Sequence, residues 1–187
     1  LGILDISLSN DVPSGMEIEI EVTYLCSKLP ENLKDSPSIL LKDVYFPPEA
    51  AKPKLRIRQK GESYEITKKE QPDPNDASVQ VEHTISLSAE EFNALEKSSA
   101  RKVVKTRYYY SLNNLTFEVD VFEGEHKGLV LAEVEFKSSA EKALFKAPPF
   151  CLCDVTQENL IAGGILSGTS SKVLFDALST RYRYAPI

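Results

Sequence analysis

The chain has no tryptophan, one methionine, two histidines and three cysteines among its 187 residues. Each scarcity closes off a class of chemistry. With only His83 and His126, a multi-histidine metal centre is excluded, and a Ser–His or Cys–His nucleophilic pair has little to be built from. Cys26, Cys151 and Cys153 form no even framework and read as reduced thiols of a cytoplasmic protein. Cys151-Leu-Cys153 is half of a thiolate metal site without its other half, so packed or surface thiols are the expectation. No apolar run approaches the roughly 20 residues that span a bilayer. Leu1 to Gly15 lacks a basic segment followed by an apolar core and reads as an N-terminal extension, not a secretory signal. No Gly-Lys-[Ser/Thr] occurs, so Gly163, Gly164 and Gly168 ahead of Lys172 read as a flexible turn and not as a phosphate-cradling loop. Basic charge is not in excess either: Lys plus Arg is 22 against 28 Asp plus Glu, a net charge of -6. That balance excludes a general binder of nucleic acid or of anionic membranes, which needs surplus Lys and Arg.

What is abundant is alternation. A content of 42% hydrophobic and 27% charged residues suits one folded domain, placed at residues 16–187. Met16-Glu-Ile-Glu-Ile-Glu-Val22, Lys54-Leu-Arg-Ile-Arg-Gln-Lys60, Val104-Lys-Thr-Arg107, Phe117-Glu-Val-Asp-Val121 and Ala132-Glu-Val-Glu-Phe136 all alternate with period two, the signature of strands with unlike faces. Gln80 to Leu87 adds another strand, and Tyr64 to Lys68 pairs with the Lys54 strand across a turn at Gly61. Ser88-Ala-Glu-Glu91 has capping-box form and starts a short helix reaching about Lys97. A second helix begins at Ser138 or Ser139 and stops before Pro148-Pro149; Ser170 to Leu178 makes a third. Gln71 to Asp76 is a loop, Tyr108 to Tyr110 a partly buried strand end, and Arg181 to Tyr184 a terminal strand or tail.

The charged faces carry one sign per strand. Glu17, Glu19 and Glu21 share a face; so do Arg56, Arg58 and Lys60, then Lys105 with Arg107, Glu118 with Asp120, and Glu133 with Glu135. For any single strand a solvated face is explanation enough. Across five strands it explains less, because like charges side by side repel unless opposite charge sits between them. A closed antiparallel barrel with a polar lumen brings the acidic and basic faces together. There, acid doublets suit hard cations such as Mg²⁺ or Mn²⁺, and basic doublets suit phosphate oxygens.

The order of these segments resembles the CYTH family of triphosphate tunnel metalloenzymes. Lys54 to Gly61 is similar to its Leu-Arg-Ile-Arg strand, Tyr64-Glu-Ile-Thr-Lys68 to its Thr-x-Lys strand, and Asp43-Val-Tyr-Phe-Pro47 to the element before them. Val104-Lys-Thr-Arg107 resembles the Lys-x-Arg strand, Phe117 to Phe122 and Leu131 to Phe136 the two acidic strands, and Asp154-Val-Thr156 the late Glu-Val-Thr. Three departures stand out. In either register of the first strand, Glu17-x-Glu19-x-Glu21 or Glu19-x-Glu21-x-Thr23, the signature lysine is missing; Gln80 replaces the arginine of Arg-x-Glu; and Leu160-Ile-Ala-Gly163 replaces a polar stretch.

The resemblance implies an α+β, mostly antiparallel fold: an eight-stranded closed barrel with a few short flanking helices. It implies hydrolysis of a small triphosphate such as tripolyphosphate, a nucleoside triphosphate or thiamine triphosphate, with Mg²⁺ or Mn²⁺. Glu19, Glu21, Glu133 and Glu135 then hold metal, Arg56, Arg58, Lys68, Lys105 and Arg107 grip phosphates, and Glu82, Asp120 and Lys105 form the catalytic group. Counting Glu118 with the acids, seven acids face five bases, and two divalent cations turn that excess of negative charge into a positive one. Two other readings stay open: a triphosphate- or nucleotide-binding module without turnover, and a class IV-type adenylate cyclase. No nucleic acid or membrane partner is expected, and an oligomer is compatible with the sequence.

Overall fold

The computed structural model describes residues 16–187. The expected extension, residues 1–15, lies outside them. Nine strands follow in order: β1 (Met16–Cys26), β2 (Ser38–Phe46), β3 (Leu55–Lys60), β4 (Ser63–Glu70), β5 (Val79–Leu87), β6 (Lys102–Leu112), β7 (Leu115–Phe122), β8 (Val130–Glu135) and β9 (Cys151–Asp154). The sheet runs β5-β4-β3-β2-β6-β7-β8-β1-β9, and β5 also pairs with β1, which closes strands β1 to β8 into a barrel. β1 is shared along its length: Met16 to Ile20 pair with β5, and Tyr24 to Cys26 pair with β9. The small strand β9 has no signature in the sequence, because four residues hold too little alternation to register.

Closure turns the charged faces inward and the apolar faces outward. On the outer side Val22, Phe117, Val119, Ala132, Val134 and Phe150 form one cluster, and Val44 and Ile57 form another under Phe92. Phe92 comes from α1 (Ala89–Glu96), which starts at the expected capping box: Ser88 Oγ accepts from Glu91 N, and the Glu91 carboxylate accepts from Ser88 N. The second expected helix is α2 (Ser139–Leu144), with Ser138 as its cap.

The inner face changes character along the barrel. Two residues beyond the charged or polar positions Thr23, Asp43, Lys105, Asp120 and Glu133 on their strands stand Leu25, Tyr45, Val103, Phe122 and Leu131, on the same face. These five join Val155, Leu166, Leu174, Leu178 and Tyr184 in one buried cluster. Leu166 belongs to the short α3 (Gly163–Leu166), and Leu174 and Leu178 to α4 (Ser171–Tyr182). The C-terminal helices therefore stop one end of the barrel with apolar side chains.

Two expectations fail in this region. Gly163 and Gly164 are not a flexible turn: they form α3, where a side chain on Gly163 would meet the Tyr45 hydroxyl at 1.9 Å and one on Gly164 the Pro53 carbonyl at 2.2 Å. Arg181 to Tyr184 is not a strand or loose tail. α4 runs to Tyr182, Arg183 turns left-handed as its C-cap, and buried Tyr184 donates to the Gly128 carbonyl while accepting from Val130 N.

Candidate functional site

The barrel interior is a cavity of about 570 Å³ lined by ten carboxylates and eight cationic side chains. Their net excess is two negative charges, and the set is wider than the twelve charges expected from the strands: Asp43, Lys69 and mouth residues such as Lys52, Lys54 and Glu158 join it. The charges are not mixed evenly, and cross-strand register explains how they sort.

Arg58 on β3 lies directly opposite Asp43 on β2. Its Nε and Nη2 donate to Oδ1 and Oδ2 at 2.6 and 2.8 Å, a bidentate pair with both partners buried. Arg107 on β6 lies opposite Asp120 on β7 and donates to it twice, at 2.7 Å each, with a third contact to Glu118. Lys105 also donates to Asp120 and stands 5.5 Å from the centre of the Phe122 ring. Burial by itself raises a carboxyl group's pKa, but here the cations outweigh it. Asp43 is held below the usual carboxylate range by Arg58 and Arg56, and Asp120 is lowered to about 2 by Lys105 and Arg107. Lys105 itself is lowered, burial being the largest cause. Arg56 Nε is buried without a hydrogen-bond partner.

The opposite wall is acidic. Glu19 and Glu21 on β1 meet Glu133 and Glu135 on β8, with Glu21 opposite Glu135 and Thr23 opposite Glu133. Thr23 Oγ1 lies 3.5 Å from Glu133 Oε2. Burial raises Glu19 and Glu21, and it pushes Glu135 up to about 7 with help from Glu19, Glu118 and Glu133. Glu21 Oε2 is buried with no hydrogen-bond partner. One cation enters this wall: Lys69 Nζ, at 2.7 Å from Glu19, 3.1 Å from Glu82 and 3.6 Å from Glu21. Burial raises Glu82 too, but Lys69 and Arg56 reverse the effect and leave it lowered.

Eleven of the twelve side chains expected in the lumen, Glu118 among them, line it. Lys68 does not. It projects outward, more than half exposed, and pairs with Glu70 at 2.9 Å. The error was one of parity. On β4 the lumen takes Glu65, Thr67 and Lys69, so the lysine sharing a face with Thr67 is Lys69, two residues on. That spacing was visible in the sequence and could have identified it. Asp43 and Tyr45 also point inward, a direction that follows from their register opposite Arg58 and Arg56. Thr23, and no lysine, faces Glu133 across the β1–β8 ladder.

Among the described residues no three carboxyl, histidine or cysteine groups converge at metal-ligand spacing. The acidic wall nevertheless fits a hard divalent cation in its chemistry: all-oxygen donors, an orphaned carboxylate oxygen, and carboxyl groups raised by burial and by one another's negative charge.

A closed antiparallel barrel with sorted acidic and basic inner walls, stopped at one end, defines a class of tunnel-barrel protein. The chain belongs to the CYTH domain family, whose model matches residues 17–148. An inorganic triphosphatase of Nitrosomonas europaea is 31% identical over 75% of this chain and 90% of its own length. An inorganic triphosphatase of Acetivibrio thermocellus is 36% identical over 41% of this chain and 49% of its own. A crystal structure of an inorganic triphosphatase superposes with a TM-score of 0.61 at 28% identity, covering 81% of this chain and 95% of that one. A putative adenylate cyclase from Bacillus halodurans, 18% identical with a TM-score of 0.50, covers 92% of this chain and 94% of that one and shares the fold. No helix among the described residues is long and apolar enough to cross a membrane.

Proposed function

We propose that this protein hydrolyses the terminal phosphoanhydride bond of a small triphosphate, inorganic tripolyphosphate above all, with the help of Mg²⁺ or Mn²⁺. The observation that carries the reading is the division of one blind channel into a basic wall and an acidic wall. Such a channel takes a short linear polyanion end-on, and the two relatives named inorganic triphosphatase favour an inorganic chain over a nucleotide.

Arg56, Arg58 and Arg107, with Lys105, grip the phosphate oxygens. Arg56 is the readiest donor, because its buried Nε has no partner within the protein. Glu19, Glu21, Glu133 and Glu135 would hold the divalent cation, which would supply charge to offset the phosphates and to activate water. Glu82 and Asp120 orient the attacking water. Lys105, lowered by burial and hydrogen-bonded to Asp120, sits where it can exchange a proton near the reacting phosphate. The apolar stop at Tyr45, Phe122 and Leu131 keeps bulk water from the closed end.

The test is a phosphate-release panel of tripolyphosphate, ATP and thiamine triphosphate, with and without Mg²⁺ or Mn²⁺. Release from tripolyphosphate that needs metal and falls about 100-fold or more in Glu133→Ala supports the reading. Tripolyphosphate affinity undiminished by excess EDTA in calorimetry contradicts it. Thr23 at the signature position favours a second reading, a binding module without turnover, which predicts metal-dependent binding and no release.

A further inference from the structure

We infer that Lys69 is a resident counter-cation that a divalent ion must displace, and that phosphate on the basic wall draws it away, so that metal and phosphate bind cooperatively. The inference deepens the proposed function and rests on it for the nature of the ligand. Among the described residues, Lys69 is the cation that ion-pairs with Glu19, Glu21 and Glu82, and its Nζ stands 2.7 to 3.6 Å from all three. Glu19 and Glu21 are also two of the four carboxylates assigned to the metal, so the ammonium competes for the same oxygens. An ammonium group and a divalent cation among the same carboxylates repel at close range in a medium that screens poorly. The two therefore exclude each other.

Lys69 is also the cation free to leave. Arg58 and Arg107 are each held by a bidentate carboxylate, whereas Lys69 makes point contacts from a flexible four-carbon stem. It has somewhere to go. On β4 it is two residues from Thr67, and Thr67 lies opposite Arg56 on β3. That diagonal separates the Lys69 and Arg56 backbones by about 7–8 Å, within reach of long side chains. A phosphate bound to Arg56 thus offers Lys69 a second anion while releasing the first. By linkage, the same coupling makes bound metal tighten phosphate.

The experiment measures Mn²⁺ affinity by electron paramagnetic resonance for the wild-type protein, Lys69→Met and Lys69→Arg, first with the metal alone. Lys69→Met is expected to bind Mn²⁺ about tenfold more tightly, about 1.4 kcal/mol, with Lys69→Arg close to wild type. Saturating imidotriphosphate, a non-hydrolysable analogue, is expected to shrink the gap between wild type and Lys69→Met to under about threefold. Thermal melts give an independent readout: without metal Lys69→Met melts lower than wild type, and Mn²⁺ raises its midpoint more. Lys69→Met binding Mn²⁺ no more tightly than wild type, or a gap unchanged by the analogue, overturns the inference. Absence of phosphate release from the wild-type protein would remove the hydrolase reading alone and leave the order of Mn²⁺ affinities to decide this one.

Discussion

Arg58 and Asp43 meet with both side chains buried, so neither can be removed alone without leaving the other charged and unpaired. Arg58→Ala is expected to cost about 3–5 kcal/mol in urea unfolding, because a lone buried carboxylate carries its full desolvation penalty. The double variant Arg58→Met with Asp43→Leu should lose clearly less than the sum of the two single changes; strict additivity in that cycle would show the pair to be uncoupled. At this scale the sequence was legible wherever parity could be counted from an unbroken alternation. Arg56 and Arg58, or Glu133 and Glu135, admit only one shared face. The neighbouring Lys68 and Lys69 occupy both faces, and there parity has to be carried from Tyr64 and Ile66 on the apolar face, which leaves Lys69 with Thr67 on the other; the register, with Thr67 opposite Arg56 and Lys69 opposite Glu82, agrees.

Among elements, α3 is the one whose role composition conceals. Gly163 and Gly164 look like flexibility, but they are small because Tyr45 and the Pro53 carbonyl press against them. Arg101 fixes the same segment through the Gly164 carbonyl and the Ser167 hydroxyl, and reaches the Ala50 carbonyl at 2.5 Å. Gly163→Ala must push the Tyr45 ring or the helix aside. It is expected to lower stability by about 1–3 kcal/mol in urea unfolding and to reduce phosphate release together, since Tyr45 lies 3.5 Å from Asp43 at the basic wall. Stability and release both unchanged would show that the stop at this end does not shape the channel. α1 is the contrasting case. Its capping box is purely local, four residues long, and was readable as written.

For the molecule as a whole, the two walls predict opposite responses to pH. Asp43 and Asp120 are lowered in the folded state, so the stability they contribute is present above their unfolded values near 3.9 and is lost as pH falls toward about 2. Glu19, Glu21 and Glu135 are raised, so the folded form keeps protons that the unfolded chain gives up above its ordinary 4.5. Stability then falls as pH climbs through about 7. In EDTA the melting temperature should be highest between about pH 4 and 6 and lower at pH 8, where Mg²⁺ or Mn²⁺ should restore it. A melting temperature that is flat from pH 5.5 to 8 would contradict this account. What the sequence determined by itself is a set of two-faced strands, whose same-sign charge at period two a closed barrel sets against opposite charge; the eight-stranded closure is what the family resemblance implies. What only tertiary structure decided is how the charges are shared out, with Lys69 among the acids, Asp43 beneath Arg58 and an apolar stop built by residues far apart in the chain. Period two reports which residues share a face, but which faces meet depends on the stagger between strands, and that is set by closure of the whole sheet.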